Sequence, residues 1–199
     1  MTNIGIYIYD EAEVLDFSGP FEVFTTAERI SQQPLFNTFL INQANLIVNA
    51  RANYKLVPDY QINNHPEIDL LIIVGGDHTN EVNKKQVINW IEAQSEKAKL
   101  VASVCTGAFL LAKAGVIHNQ EVTTHWEDID DLQTQYPKLN VKRNVRWLEQ
   151  GNIITSGGIS AGIYPLSFKI QVSVGTKNNL GKALSLRHGY SLTKINNAA

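Results

Sequence analysis

The chain has 199 residues, 44% hydrophobic and 18% charged, with 17 basic and 19 acidic side chains and a net charge of −2. This is the composition of one globular domain with a sizeable core, and with no basic run it argues against nucleic acid as a partner. A single cysteine excludes an internal disulfide and a cysteine-based zinc site, and it suits a reducing compartment.

The N-terminus, Met1-Thr2-Asn3-Ile4-Gly5-Ile6-Tyr7-Ile8-Tyr9-Asp10, runs straight into a strand over Ile4–Tyr9. It has no basic segment leading an apolar core, and no apolar run approaches membrane-spanning length. The expectation is a cytoplasmic chain without signal peptide or membrane contact. Ser18–Ile30 shows helical periodicity through Phe21, Phe24, Ala27 and Ile30. Phe36–Ile41 and Leu46–Val48 read as strands. Leu70–Val74 is a continuous apolar run stopped by Gly75-Gly76, as expected of a central parallel strand covered on both faces. Asn83–Lys97 reads as a helix with Val87, Trp90 and Ile91 on one face. Leu100–Val104 is the next buried strand, and Thr106–Ala114 its helix, closed by Gly115. Glu121–Thr123 is a short strand and Trp126–Tyr136 a helix ended by Pro137. Val141–Trp147 and Asn152–Thr155 read as a strand pair joined at Gln150-Gly151. A helix is expected from near Ser160 to Val174, and a last amphipathic stretch over Leu180–Tyr190. Strands alternate with helices throughout, which predicts an α/β domain with a mainly parallel sheet.

In such a sheet, ligands bind beyond the carboxyl ends of the strands. Four loops qualify: Val14–Phe24, Gly75-Gly76-Asp77, the turn at Cys105, and Ser156-Gly157-Gly158-Ile159-Ser160. Cys105 stands between a buried strand and a helix, the setting of a nucleophile elbow. Its competing reading is a small buried apolar side chain. A helix dipole worth roughly 1–2 kcal/mol, at about 1.36 kcal/mol per pKa unit, is expected to bring the thiol from about 8.5 toward 7. Asp16 acts the other way by like-charge repulsion, unless the two groups share one proton. From the residues alone Asp16 reads first as a turn or N-cap residue before the helix near Ser18, and Glu22 as an exposed helix residue. Gly75 and Gly76, with the Thr106 N–H, suit an oxyanion hole or a plain turn. Among the histidines only His125 is a site candidate. His65, His78, His118 and His188 read as incidental, and their spacing builds no metal site. No Gly-x-Gly-x-x-Gly opens the first helix and there is no phosphate-binding Gly-x-x-x-x-Gly-Lys motif, so nucleotide cofactors are not expected. Trp90, Trp126 and Trp147 read as core or interface residues.

Four segments then match a family together: Asp16-Phe17-Ser18-Gly19-Pro20-Phe21-Glu22-Val23-Phe24, Ser103-Val104-Cys105-Thr106-Gly107-Ala108, Thr123-Thr124-His125-Trp126, and Thr155-Ser156-Gly157-Gly158-Ile159-Ser160-Ala161-Gly162-Ile163. They resemble the ThiJ/PfpI superfamily, and within it the isonitrile (isocyanide) hydratase-like branch. The resemblance covers nearly the whole chain. It implies one class I glutamine amidotransferase-like domain over 1–199, a flavodoxin-like sandwich with helices on both faces of the sheet, and a homodimer. It also implies Cys105 as elbow nucleophile, Asp16 as its carboxylate partner, Thr106 as helix cap and N–H donor, and Gly76 as a second N–H donor. Phe17, Gly75, His125 and Ile159, with Phe109, would wall the pocket. Neither metal nor organic cofactor is implied. The protease branch carries His directly after the Cys, where this chain has Thr106. Other departures are Val74 in place of Pro before Gly75-Gly76, Tyr164-Pro165 in place of Asp, and the tail Arg187-His188-Gly189-Tyr190.

The activity implied is hydration of an isonitrile to an N-substituted formamide through a Cys105 thioimidate. The alternatives are glyoxal chemistry aided by His125 or Glu22, oxidant sensing through a Cys105 sulfinate, and the ligand-sensing half of a regulator. The stretch after the Ser160 helix is too short for a helix-turn-helix module.

Overall fold

The structure, a computed structural model, describes residues 1–158. Ile159 and the helices expected from Ser160 onward lie outside the described residues. The elements in chain order are β1 (Thr2–Tyr7), α1 (Val14–Ser31), β2 (Phe36–Asn42), β3 (Val48–Ala50), β4 (Tyr54–Leu56), β5 (Tyr60–Gln61), β6 (Leu70–Ile73), α2 (Lys85–Lys97), β7 (Leu100–Val104), α3 (Gly107–Lys113), β8 (Glu121–Val122), α4 (Ile129–Gln135), β9 (Asn140–Val141), β10 (Trp147–Gln150) and β11 (Ile153–Ser156).

Seven strands form one sheet in the order β10-β11-β7-β6-β1-β2-β5. Every neighbouring pair is parallel except β10–β11. All four residues of β6 are buried, and Leu71, Ile72 and Ile73 are wholly enclosed. An uninterrupted apolar run is what a strand needs when both faces are covered. The chain leaves β1 toward β2 in one direction and β6 toward β7 in the other. Right-handed crossovers then place α1 on one face and α2 with α3 on the opposite face. The order reverses between β1 and β6, so a crevice opens at their carboxyl ends.

Several boundaries differ from expectation. α1 begins at Val14, four residues before the expected start at Ser18, and runs through Pro20. Ser-Gly-Pro reads as a breaker in sequence. Yet Pro20 lacks only the N–H that would bond the Asp16 carbonyl, and Ser18 Oγ donates to the Val14 carbonyl at 2.8 Å. The strand expected at Leu46–Val48 is displaced to Val48–Ala50, which pairs antiparallel with β4. Leu46 is 81% exposed: its hydrophobicity mimicked a strand without a partner to bury it. The strand expected over Val141–Trp147 does not form. Asn140–Val141 ends as β9 beside β8, the chain turns at Asn144 (φ 58°), and only Trp147 onward pairs with β11. The Gly151 turn between those strands (φ 62°) is as expected. The helix expected from Trp126 opens as a single 3₁₀ turn, Trp126–Asp128, before α4.

Candidate active site

Cys105 sits at the carboxyl end of β7 with φ 55°, a left-handed conformation that a non-glycine residue holds only when its surroundings enforce it. Here they do. The Cys105 N–H donates to the Ser156 carbonyl at 3.0 Å, and Thr124 Oγ1 donates to the Cys105 carbonyl at 2.9 Å. Two glycines press on the residue from either side. A Cβ at Gly75 would lie 2.6 Å from both Cys105 Cβ and Thr106 N, and 2.9 Å from Asp16 Oδ2. A Cβ at Gly158 (φ 97°) would lie 2.8 Å from Cys105 Cβ and 3.1 Å from Sγ. The strand-to-helix turn is therefore sterically closed to any side chain at either position.

Asp16 reaches this turn because α1 starts early. It occupies the helix's first turn, is wholly buried, accepts the Gly75 N–H at Oδ2 (3.2 Å) and lies close enough to the Cys105 thiol for its charge to raise that group's pKa. The turn and N-cap readings of Asp16 are thereby replaced: the cap position is Glu13, and it makes no side-chain capping bond.

The expected fall of the thiol pKa does not occur. Burial pushes the Cys105 thiol far above its ordinary range, and the Asp16 charge adds to the rise. The Thr106 N–H acts against both and is outweighed. α3 spans only seven residues, too short for its dipole to offset desolvation plus an adjacent carboxylate. The resting group is thus a neutral thiol beside a buried carboxyl group.

Two other roles also change. Thr106 occupies the N-cap position of α3 but makes no side-chain capping bond. Its Oγ1 accepts the Gly76 N–H at 2.9 Å and donates to the Gly76 carbonyl at 2.8 Å. The Gly76 N–H is thereby turned to Thr106 and away from the reacting atom, and the Gly75 N–H is held by Asp16. The Thr106 N–H remains directed at the sulfur.

Phe17 is buried and lines a cavity of about 610 Å³ with Leu15, Phe21, Leu40 and Tyr54, between α1 and β4. Glu22 is exposed, lines the same cavity, and accepts a hydrogen bond from Thr26. Phe109 is fully enclosed beneath the ring of His78, at 4.2 Å between centroids. His125 turns its Nδ1 to Asp128 Oδ2 at 3.2 Å. Sequence reading passed over Tyr9, Thr124 and His78. Tyr9 is 3% exposed and its hydroxyl donates to the Val74 carbonyl at 3.3 Å. His78, read as incidental, packs its ring on Phe109, and its pKa is lowered by burial. Only Thr124 carried a signal, through its place in Thr-Thr-His-Trp. Among the described residues no cluster of three or more His, Cys, Asp or Glu side chains is placed to hold a metal, and no helix is long and apolar enough to cross a membrane.

The chain is similar to several known proteins. The chain is 30% identical over 161 residues to isonitrile hydratase of Pseudomonas putida, covering 80% of this chain and 67% of that protein. It is 22% identical over 156 residues to the HTH-type transcriptional regulator GbdR of Pseudomonas aeruginosa, covering 78% of this chain but only 42% of the regulator. In fold it is similar to a ThiJ/PfpI family protein from Pseudomonas syringae, with a TM-score of 0.80 at 21% identity, over 98% of this chain and 78% of that one. The DJ-1/PfpI family pattern matches residues 2–168, so the chain belongs to the DJ-1/PfpI family.

Proposed function

We propose that the protein is a cysteine-dependent lyase that hydrates an isonitrile to an N-substituted formamide. The observation that carries this reading is the wholly buried Asp16 carboxyl group set beside the Cys105 elbow, both crowding the Gly75 backbone. The 30% identity to isonitrile hydratase supports it.

A neutral thiol suits this chemistry. The terminal carbon of R–N≡C accepts both a nucleophile and a proton. As Sγ bonds to that carbon, the thiol proton passes through Asp16 to the same carbon, leaving R–N=CH–S–Cys105 with no net charge. Asp16 then takes a proton from a water whose oxygen adds to the thioimidate carbon, and hands that proton to the nitrogen. The C–S bond breaks as the added hydroxyl gives up its proton to the departing sulfur, and R–NH–CHO leaves. The Thr106 N–H faces the sulfur as its charge rises and falls. Asp16 moves one proton in each half-reaction, which is why a carboxyl group is needed beside the thiol.

The oxidant-sensor alternative draws no support from the thiol, which is buried and held protonated where a sensor needs an exposed thiolate. Glyoxal chemistry calls for a base near the sulfur, and His125 is instead engaged with Asp128. The test is formamide production from a simple alkyl or aryl isonitrile. Wild type should turn over, while C105A and D16N should both lose activity. A wild type without turnover, or an active C105A, rejects the assignment. The homodimer implied by the resemblance is proposed alongside it and is read by light scattering on the same preparation.

A further inference from the structure

We propose that Thr124 is a positioning residue for the Cys105 thiol, acting through the backbone carbonyl of Cys105. The inference rests on Cys105 being the reacting group, and its test uses no isonitrile.

A cysteine at φ 55° keeps that conformation only while its neighbours hold the backbone on both sides. The Cys105 N–H donates to the Ser156 carbonyl at 3.0 Å, a contact that any residue at position 156 would supply. The Cys105 carbonyl accepts the Thr124 hydroxyl at 2.9 Å, and that contact depends on a side chain. A hydroxyl has one proton to give, and Thr124 spends it here. The carbonyl belongs to the peptide joining Cys105 to Thr106, so the bond sets the plane from which the thiol-bearing residue departs. On the other side of that peptide Thr106 Oγ1 is clasped to the Gly76 N–H and carbonyl. Segments following β6 and β8 therefore grip one peptide from opposite ends.

Thr124 is itself anchored. It is 1% exposed, as is Thr123. The Thr123 N–H donates to Thr155 Oγ1 at 2.9 Å and its hydroxyl to the Lys142 carbonyl at 3.1 Å. The chain leaving β8 is thus tied to β11 and to the segment after β9 before it reaches the elbow. A valine matches threonine in shape, so packing alone does not call for the hydroxyl. Gly75 and Gly158 close two directions around Cys105. A Cys105 freed from its left-handed conformation therefore carries its thiol toward the crevice and away from Asp16.

The experiment compares T124V, T124S and T123V with wild type by the rate at which iodoacetamide alkylates Cys105, followed by intact mass from pH 7 to 10. Circular dichroism confirms folding of each variant, and T124A, which also lacks the hydroxyl, carries the same expectation should T124V fail to fold. T124V should move the alkylation profile about one unit to lower pH, which is about tenfold faster reaction at pH 8. T124S, which retains the hydroxyl, should follow wild type. So should T123V, which loses an equally buried hydroxyl bond that does not touch Cys105. A folded T124V whose profile superimposes on wild type or moves to higher pH overturns the proposal, as does a T124S or a T123V that behaves like T124V. Because alkylation needs no substrate, a failed hydratase assay leaves this result readable.

Discussion

The protonated state of Cys105 makes stability depend on pH in a way that one substitution isolates. In the fold the thiol is held neutral by burial and by Asp16, whereas in the unfolded chain it titrates near its ordinary value of about 8.5. Above that pH the unfolded state loses a proton that the folded state keeps, so the folded state binds more protons and stability falls as pH rises. Below it both states hold the proton, and Cys105 contributes no slope. The cysteine-dependent loss is about 0.4 kcal/mol at pH 8.5, about 1.4 at pH 9.5 and about 2.7 at pH 10.5, following a limiting slope of about 1.36 kcal/mol per unit. Tyr7 and Tyr9, both raised far above the usual phenol range, add a similar decline from about pH 10 upward. They are present in both wild type and C105A, so they cancel in the difference. Urea unfolding of the two proteins at pH 7.0, 8.5, 9.5 and 10.5 reads that difference directly. It should be constant to about pH 8 and then turn steadily against the wild type. A difference that stays flat to pH 10.5 would mean that the folded thiol ionises as freely as a solvated one, and the neutral-thiol mechanism would fall with it.

Removing the Asp16 charge should release the thiol. A like charge in contact raises a pKa by roughly 1–3 units, so alkylation of Cys105 in D16N should be roughly tenfold or more faster than wild type at pH 8; an equal or slower rate would contradict the electrostatic assignment. The two glycine environments should separate in stability. G75A would force its Cβ within 2.6 Å of Cys105 Cβ and Thr106 N, and should lower the melting temperature by well over 10 °C, at about 4 °C or less per kcal/mol for a domain of this size. G115A meets open space and pays only for a left-handed φ of 73°, about 1 kcal/mol. Thermal unfolding of the pair checks this, and equal losses would refute the steric reading.

Much of this molecule could be read from order and periodicity. Leu70–Val74 and Leu100–Val104 are apolar without interruption, and both are buried parallel strands ending at the crevice. Val87, Trp90 and Ile91 recur at helical spacing and pack inward on α2. The turn at Cys105 was legible too, because a buried strand followed by Thr106-Gly107 and a helix is a local pattern. Where local signals conflicted, the reading slipped. Gly19-Pro20 concealed the first turn of α1, and Leu46 and Val141 suggested strands that tertiary pairing did not support.

The sequence by itself determined which elements form and which residue types stand at the carboxyl ends of β1, β6 and β7. Only the tertiary structure decided the chemistry of the site, since protonation and hydrogen-bond direction depend on what surrounds a group in space. Cys105 lies 89 positions from Asp16 in the chain (105 minus 16), and burial together with that carboxylate reversed the pKa shift that helix position alone implied. Gly76, expected to serve the reacting atom, gives its N–H to Thr106 instead. Tyr9 meets the neighbouring strand's end because the sheet order sets β1 beside β6, bringing its hydroxyl to the Val74 carbonyl just before Gly75.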